Sequence, residues 1–281
     1  MTAVGALRLV DLSRYPLDAR GGTAYDEVVA TARRQLRELG AAELPGFCTD
    51  QGVDALVADA ESLAVRSFHS GGIGTAYLEL PDDHWPKDHP RQTWAPYAVG
   101  AVGYDVIPRS SPLRQLYESD ELLGFVSDVL DRGELFRYAD PCGALNLAVM
   151  GDGDELQWHF DQTDFVVSLA IQAAQVGGSF DVVPKVRTAD DERYDEVAKV
   201  LDGAHDGVVT LPMTPGTLLV FEGRNSIHRV SPIKGCRLRH VGLLAYDTKP
   251  GTTSSDLLRE VRYGRVEPFA EPPGTCLLYT F

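Results

Sequence analysis

The chain has 281 residues, of which 44% are hydrophobic, and this is enough to bury a substantial core in one large domain. The formal net charge of −15 disfavours a nucleic-acid partner, because affinity for phosphate backbones depends on clustered lysine and arginine. The four cysteines are widely spaced and form no C-x-x-C pair, which argues against a zinc knuckle or a disulfide scaffold. Without a secretory leader or a long apolar run, we expect a cytoplasmic protein with no membrane partner.

Three helices are predicted in the N-terminal half of the chain. Apolar residues at helical spacing predict the first helix at 25–39, and Gly40 supplies its C-terminal stop. The second helix is predicted at 51–64 and the third at 119–130, with Ser119 as the N-cap. We expect these helices to support one face of a barrel, since their apolar stripes are typical of core-facing helices.

Residues 82–91 form a polar, aromatic and proline-containing segment that predicts an ordered loop. The two histidines of this loop are not at metal-ligand spacing, so a second metal site is disfavoured. Arg91 ends the loop, and in that position it could hold a carboxylate of a substrate. A surface arginine with no such role is the open alternative.

Short apolar runs separated by Gly-Gly and Pro-Gly turns predict strands at 165–171, 208–211, 218–221 and 241–246. The charged segment 188–203 predicts a helical insertion between two of these strands. The pattern favours a mainly β fold with helical additions.

Three side chains with metal-ligand chemistry lie in two strand-like runs, 156–161 and 225–232. Because alternate side chains of a strand share a face, His159 and Asp161 are expected to point the same way, and His228 comes from the second run. Two histidines and one carboxylate can hold one face of Fe(II) and leave the opposite face open for a co-substrate and dioxygen. The H-x-D tripeptide alone is also typical of a surface hydrogen-bonded pair, so the prediction depends on the surrounding strands.

An ordered set of motifs covers about residues 137–251: H-F-D, G-G-x-F-x-x-V-P, P-G-T-L-L-V-F, H-R-V-x-P and a following arginine. This set resembles the Fe(II)/2-oxoglutarate-dependent dioxygenases. Within that superfamily, the segments around His159 and His228 and the segment 245–251 look closest to a bacterial lineage of free-amino-acid hydroxylases and radical halogenases.

The resemblance implies an α+β fold that is mainly β, a double-stranded β-helix (jelly-roll, cupin-like) barrel buttressed by N-terminal helices. We expect a single domain over 1–281, with helical support and a substrate loop in 1–135, the jelly-roll core in 136–250 and a C-terminal extension in 251–281. The cofactors implied are Fe(II), 2-oxoglutarate and O2. The partner implied is a small-molecule substrate, and a homodimer is left open.

Asp161 indicates the type of reaction. Halogenases of this lineage resemble the pattern with glycine or alanine in place of the carboxylate, which frees a coordination site for chloride. The resemblance therefore implies hydroxylation of an unactivated C–H bond, in a free amino acid or derivative, with release of succinate and CO2. Desaturation, cyclisation and epimerisation stay open because the outcome depends on substrate pose. A non-catalytic binding barrel is disfavoured by the intact triad.

Two arginines follow His228, and either could bind the far carboxylate of 2-oxoglutarate through its guanidinium fork. Arg239 is favoured because it opens a strand-like run, as the arginine of the superfamily does, and Arg237 is the alternative because it matches a G-x-R form of that motif. Asp247 could pair with an amine, although its Asp-Thr-Lys-Pro-Gly setting equally fits a turn. The residues expected to bind the substrate are Arg91, Asn146, Trp158, Gln162 and Asp247.

Overall fold

The computed structural model describes residues 3–79 and 82–269. Its largest element is an antiparallel sheet of eleven strands that curves into a nearly closed barrel, and a second sheet has two strands. In chain order the strands are β1 (Ala41–Leu44), β2 (Phe68–Thr75), β3 (Trp94–Gly103), β4 (Phe136–Arg137), β5 (Leu145–Met150), β6 (Glu155–His159), β7 (Val166–Gln172), β8 (Phe180–Val183), β9 (Val209–Leu211), β10 (Leu218–Phe221), β11 (Ile227–Val230), β12 (Arg239–Leu244) and β13 (Tyr246–Asp247).

Six α-helices accompany the strands within the described residues. They are α1 (Thr23–Leu39), α2 (Asp50–Ala64), α3 (Pro112–Glu118), α4 (Asp120–Leu130), α5 (Tyr194–Leu201) and α6 (Asp256–Tyr263). None of the helices within these ranges is long and apolar enough to cross a membrane.

The three predicted N-terminal helices are present. α1 ends at Leu39, and Gly40 caps it in a left-handed conformation with φ of 65°, a backbone geometry that glycine adopts without strain. The Thr49 hydroxyl caps α2 and the Ser119 hydroxyl caps α4. The predicted insertion at 188–203 contains α5, which is shorter than that segment.

The large sheet has the strand order β1-β10-β7-β12-β5-β3-β6-β11-β8-β9, with β2 paired to β3. β3 pairs through Gly100–Gly103 with β5 and through Tyr97–Ala98 with β6. Because one strand has both neighbours, β3 joins the two parts of the sheet, and the inner face of the sheet encloses a cavity. This arrangement confirms the predicted jelly-roll barrel.

Residues of β5 alternate between the helices and the cavity. Leu145 and Leu147 are fully buried in the core cluster that includes α2 and α4, whereas Asn146 and Ala148 line the cavity. Burying each leucine contributes on the order of 2 kcal/mol, so the helices hold the outer face of the sheet. The inner face of the sheet is thereby left to line the cavity.

Three strands come from the segment for which the sequence predicts only helices and a loop. β1 pairs with β10, and β2 and β3 form a long hairpin-like pair beside β5 and β6. β2 contains Gly71, Gly72 and Gly74, so it lacks the apolar alternation by which a strand is recognised. Its pairing depends on β3, a neighbour that the local sequence does not reveal.

Candidate active site

The three predicted metal ligands come together at one end of the cavity. His159 is the last residue of β6, and it lies directly opposite His228 of β11 in the strand register. The Nε2 atom of His228 is 3.5 Å from Asp161 Oδ2, and the Nε2 atom of His159 is 4.0 Å from Asp161 Oδ1. One ligand atom from each residue therefore lies within 4.8 Å of the other two.

Backbone carbonyl groups orient both imidazole rings. His159 Nδ1 donates to the carbonyl oxygen of Gln157 at 2.7 Å, and His228 Nδ1 donates to that of Ser226 at 3.0 Å. Each bond places the ring proton on Nδ1 and leaves the Nε2 lone pair free to coordinate a cation. Burial lowers the pKa of each ring to about 4, so both histidines are neutral at physiological pH.

The carboxylate of Asp161 lies in the interior, and one of its oxygens has no hydrogen-bond donor among the described residues. Burial raises the pKa of Asp161, while the charges of His159 and Arg262 oppose that rise. Asp161 Oδ2 forms no hydrogen bond with any described residue. Such an unpaired buried acceptor costs roughly 1–3 kcal/mol, a cost that a bound cation would remove. Two neutral imidazoles and this carboxylate fit the donor set of Fe(II).

Asp161 reaches its position differently from the sequence prediction. β6 ends at His159, so Asp161 lies beyond the strand, and the backbone N–H of Asp161 donates to the Gly223 carbonyl at 3.1 Å. A Cβ atom on Gly223 would stand 1.8 Å from Asp161 Oδ2. Only glycine therefore leaves room for the carboxylate. Gly223 was not predicted from the sequence, where the one local signal is a glycine shortly after an apolar strand.

The cavity beside the triad has a volume of about 270 Å³ and contains a buried arginine. Arg239 of β12 is 8% exposed, and it donates to the Gly178 carbonyl at 3.1 Å and to Met150 Sδ at 3.7 Å. Burial lowers the pKa of Arg239 to about 10, and no described carboxylate pairs with it. A buried unpaired guanidinium requires an anion, and the far carboxylate of 2-oxoglutarate fits that requirement.

The alternative arginine, Arg237, has other partners. Its guanidinium donates to the carbonyl oxygens of Ala173 and Ala174, each at 3.0 Å. Arg237 is not among the described residues that line the cavity. These contacts favour Arg239 as the residue for the co-substrate.

Of the five predicted substrate residues, Asn146 lies in the cavity wall. Its side chain is 7% exposed, and its Oδ1 atom forms no hydrogen bond with a described residue. Trp158 precedes His159 and packs in a separate cluster, with the Arg229 guanidinium 4.8 Å from its ring centroid. Gln162 is exposed, and its amide donates to the Leu78 carbonyl at 3.5 Å. Neither of these two side chains lines the cavity.

Arg91 lies in an aromatic and acidic cluster that includes Tyr77, Tyr194 and Glu79. Its guanidinium is 4.2 Å from the ring centroid of Tyr77, donates to the Tyr194 hydroxyl at 3.0 Å and pairs with Glu79. The cluster ties the predicted loop to α5. Within the described residues, Arg91 does not line the cavity.

Asp247 holds the turn that follows β13. Its carboxylate accepts hydrogen bonds from the Lys249 backbone N–H at 3.2 Å and from the Thr252 hydroxyl at 2.9 Å. These contacts correspond to the turn alternative of the sequence analysis. Asp247 is not among the cavity-lining residues that the structure describes.

α6, for which the sequence predicts no role, contributes to the cavity wall. α6 contacts β2 and β3, and its residues Leu258, Arg262 and Tyr263 line the cavity. The expected C-terminal extension thus contributes directly to the site in its described part, which ends at residue 269.

A family model described as Halogenase D matches residues 87–262, a segment that contains the triad, both arginines and Arg262. A search of curated proteins finds no match.

Solved structures share the fold at low identity. A carbocyclase, SnoK from nogalamycin biosynthesis, has a TM-score of 0.55 at 18% identity and covers 86% of this chain and 93% of its own. A prolyl hydroxylase from Trichoplax adhaerens has a TM-score of 0.53 at 15% identity, covering 79% and 89%. A 2OG-Fe(II) oxygenase family oxidoreductase from Burkholderia pseudomallei has a TM-score of 0.50 at 18% identity, covering 83% and 94%.

Proposed function

Because the chain belongs to the halogenase D family and is an Fe(II)/2-oxoglutarate-dependent oxygenase, we propose that its reaction is hydroxylation rather than halogenation. The proposed substrate is a small molecule with an unactivated C–H bond, a free amino acid or a close derivative. The co-products are succinate and CO2.

The observation that carries this proposal is the carboxylate of Asp161. In halogenases of the resembling lineage a glycine or alanine stands at this position, and chloride takes the vacated place. Here both histidine Nε2 atoms face the Asp161 oxygens, at 4.0 and 3.5 Å. The carboxylate occupies the third ligand position, so a halide has no free place on this side of the site.

Fe(II), when bound, supplies the coupling of 2-oxoglutarate decarboxylation by dioxygen to oxidation of a substrate C–H bond. The side chains of the protein position the cation and the co-substrate. His159, Asp161 and His228 hold the cation, and backbone carbonyls fix the two rings so that no reorientation is needed. Arg239 holds the co-substrate from a buried strand position.

The apolar wall of the cavity excludes water and favours an aliphatic substrate. Val99, Leu156, Val230 and Leu243 line it and are buried or partly buried. Excluding water protects a reactive site from side reactions. A free amino acid is small enough for a cavity of about 270 Å³ that also admits 2-oxoglutarate.

The test is a metabolite screen that reads succinate and product mass together, run with and without excess chloride. Hydroxylation adds one oxygen to the substrate, whereas desaturation removes two hydrogens, and halogenation would add chlorine. We expect oxygen addition and no chlorinated product from the wild-type protein.

Asp161→Gly is the matched variant, since it removes the carboxylate at the decisive position. We expect it mainly to weaken Fe(II) binding. An open ligand position is not sufficient for halogenation, because halogen transfer also needs a suitable substrate pose. Chlorinated product from the wild-type protein would refute the hydroxylase proposal.

A further inference from the structure

Arg262 is a cation in the cavity wall that forms no ion pair with a described carboxylate. It lies on α6, its side chain is partly exposed, and no described residue forms a hydrogen bond or an ion pair with it. The neighbouring Arg259 is different, because it pairs with the buried carboxylate of Asp140. In a chain with 41 acidic and 26 basic residues, an arginine that lines a cavity without a carboxylate partner indicates an anionic ligand.

Arg262 lies near the triad, apart from the co-substrate arginine. The charge of Arg262 is among the causes that lower the pKa of Asp161 and His159, in both cases after the larger effect of other groups. Arg239 lies at the start of β12, opposite Met150, whereas Leu243, four residues further along that strand, lies opposite Asn146. Tyr263, the residue after Arg262, packs beside Gly103, which pairs with Asn146. The cavity therefore has two separate places for a carboxylate, one at Arg239 and one at Arg262.

Asn146 supplies an independent observation beside Arg262. Its Oδ1 atom is buried in the cavity wall without a hydrogen-bond partner among the described residues. Asn146 also acts on Tyr263, the residue after Arg262: burial raises the pKa of that phenol to about 12, and the Asn146 side chain opposes part of this rise. An unpaired buried amide oxygen requires a donor, and an ammonium group provides one.

We infer that Arg262 and Asn146 form the recognition site for the head group of an α-amino acid, an inference that rests on the proposed function. The guanidinium of Arg262 binds the carboxylate, and Asn146 Oδ1 accepts a hydrogen bond from the ammonium. Leu258 of the same helix and Leu243 of β12 line the cavity beside them and provide apolar contacts for the aliphatic part. The head group is thus held at the α6 side, and the remaining carbon chain extends toward the triad.

The test measures binding by calorimetry on protein loaded anaerobically with Fe(II) and 2-oxoglutarate. The probes are the twenty standard L-amino acids, each compared with its carboxamide and its deamino acid. Arg262→Gln removes the proposed partner of the carboxylate, Arg262→Lys keeps the charge without the fork, and Asn146→Ala removes the acceptor. Arg34→Gln is the control, because Arg34 is exposed on α1 and does not line the cavity.

For the wild-type protein we expect the carboxamide of a bound amino acid to bind roughly 10- to 100-fold more weakly, as for loss of a charged hydrogen bond. Arg262→Gln should weaken the amino acid by a similar factor and remove its advantage over the carboxamide. The affinity of Arg262→Lys for the amino acid should lie between those of the wild type and Arg262→Gln. The affinity of Arg34→Gln should match that of the wild type. Asn146→Ala should bind the amino acid no more tightly than its deamino acid. It should still bind the amino acid more tightly than its carboxamide.

Equal affinity of wild type and Arg262→Gln for the amino acid would overturn the inference, as would equal binding of acid and carboxamide by the wild type. It would also be overturned if no amino acid bound to the loaded wild-type protein, or if Arg262→Gln changed only the affinity for 2-oxoglutarate. Amino-acid binding that depends on Arg262, without any oxidised product, would instead refute the proposed function and leave this inference standing.

Discussion

The two arginines that line the cavity come from very different parts of the fold. Arg239 belongs to β12, which pairs with β5 on one side and β7 on the other. Arg262 belongs to α6, an eight-residue helix outside the barrel on which Leu257 and Val261 are exposed. A central strand cannot shift without breaking hydrogen bonds on both edges, whereas a surface helix can. Under the proposed assignments, the co-substrate end is therefore built to stay constant, and the substrate end can vary without disturbing the barrel.

The largest expected effect is loss of a metal ligand from the strand-built end. His159→Ala, Asp161→Ala and His228→Ala should each abolish product formation while the fold is retained, because the strands that carry the triad are already paired. Fe(II) content, turnover and thermal unfolding are measured for each variant. Full activity in any one variant would remove that residue from the ligand set.

Gly223→Ala should weaken Fe(II) binding strongly without touching a ligand. The added Cβ would stand 1.8 Å from Asp161 Oδ2, so the carboxylate must move out of line with the two histidines. Anaerobic Fe(II) titration checks the change, and Gly5→Ala is the control because its nearest contact is an ordinary 3.8 Å. Unchanged Fe(II) affinity in Gly223→Ala would show that the loop can relax around the new methyl group.

Arg239→Ala should weaken 2-oxoglutarate binding by on the order of 2 to 5 kcal/mol, because it removes the proposed buried partner of the co-substrate carboxylate. Arg237→Ala should change it less, since its guanidinium bonds to two backbone carbonyls outside the cavity wall. The dependence of succinate formation on 2-oxoglutarate concentration compares the two. A larger effect for Arg237→Ala would reverse their assignment.

The smallest expected effect concerns the cap of α6. The Ser255 hydroxyl accepts a hydrogen bond from the Leu258 N–H at 3.2 Å, and loss of such a cap costs about 1 kcal/mol. Ser255→Ala should therefore weaken substrate binding about fivefold, through fraying of the helix that carries Arg262, and leave the 2-oxoglutarate requirement unchanged.

Ser119→Ala is the matched control for Ser255→Ala, because Ser119 caps α4 on the outer side of the barrel. It should lower the free energy of unfolding by a similar amount without changing substrate binding. Parallel shifts in 2-oxoglutarate and substrate affinity for Ser255→Ala would show that the two ends of the cavity are coupled.

Local sequence patterns were sufficient to predict a feature wherever a short segment contains the residues that determine it. The apolar period of α1 with its Gly40 stop and the Ser119 cap of α4 predict helices that the structure contains. The motifs around His159 and His228 likewise indicate the ligand set, because a metal site needs particular residue types. The superfamily resemblance, which rests on such motifs, carried the barrel prediction.

Other features of the site depend on contacts between distant segments, so only the tertiary structure decided them. The strand pattern predicted Asp161 on β6, yet the Gly223 carbonyl and the missing Cβ at that glycine place its carboxylate. Arg91 lies in a short 3-10 helix, Pro90–Gln92, at the end of the predicted loop, and Tyr194 and Glu79 hold its side chain outside the cavity wall. The proposed role of Arg262 has no local signal in the sequence, because the sequence of a surface helix does not show whether that helix packs beside a cavity.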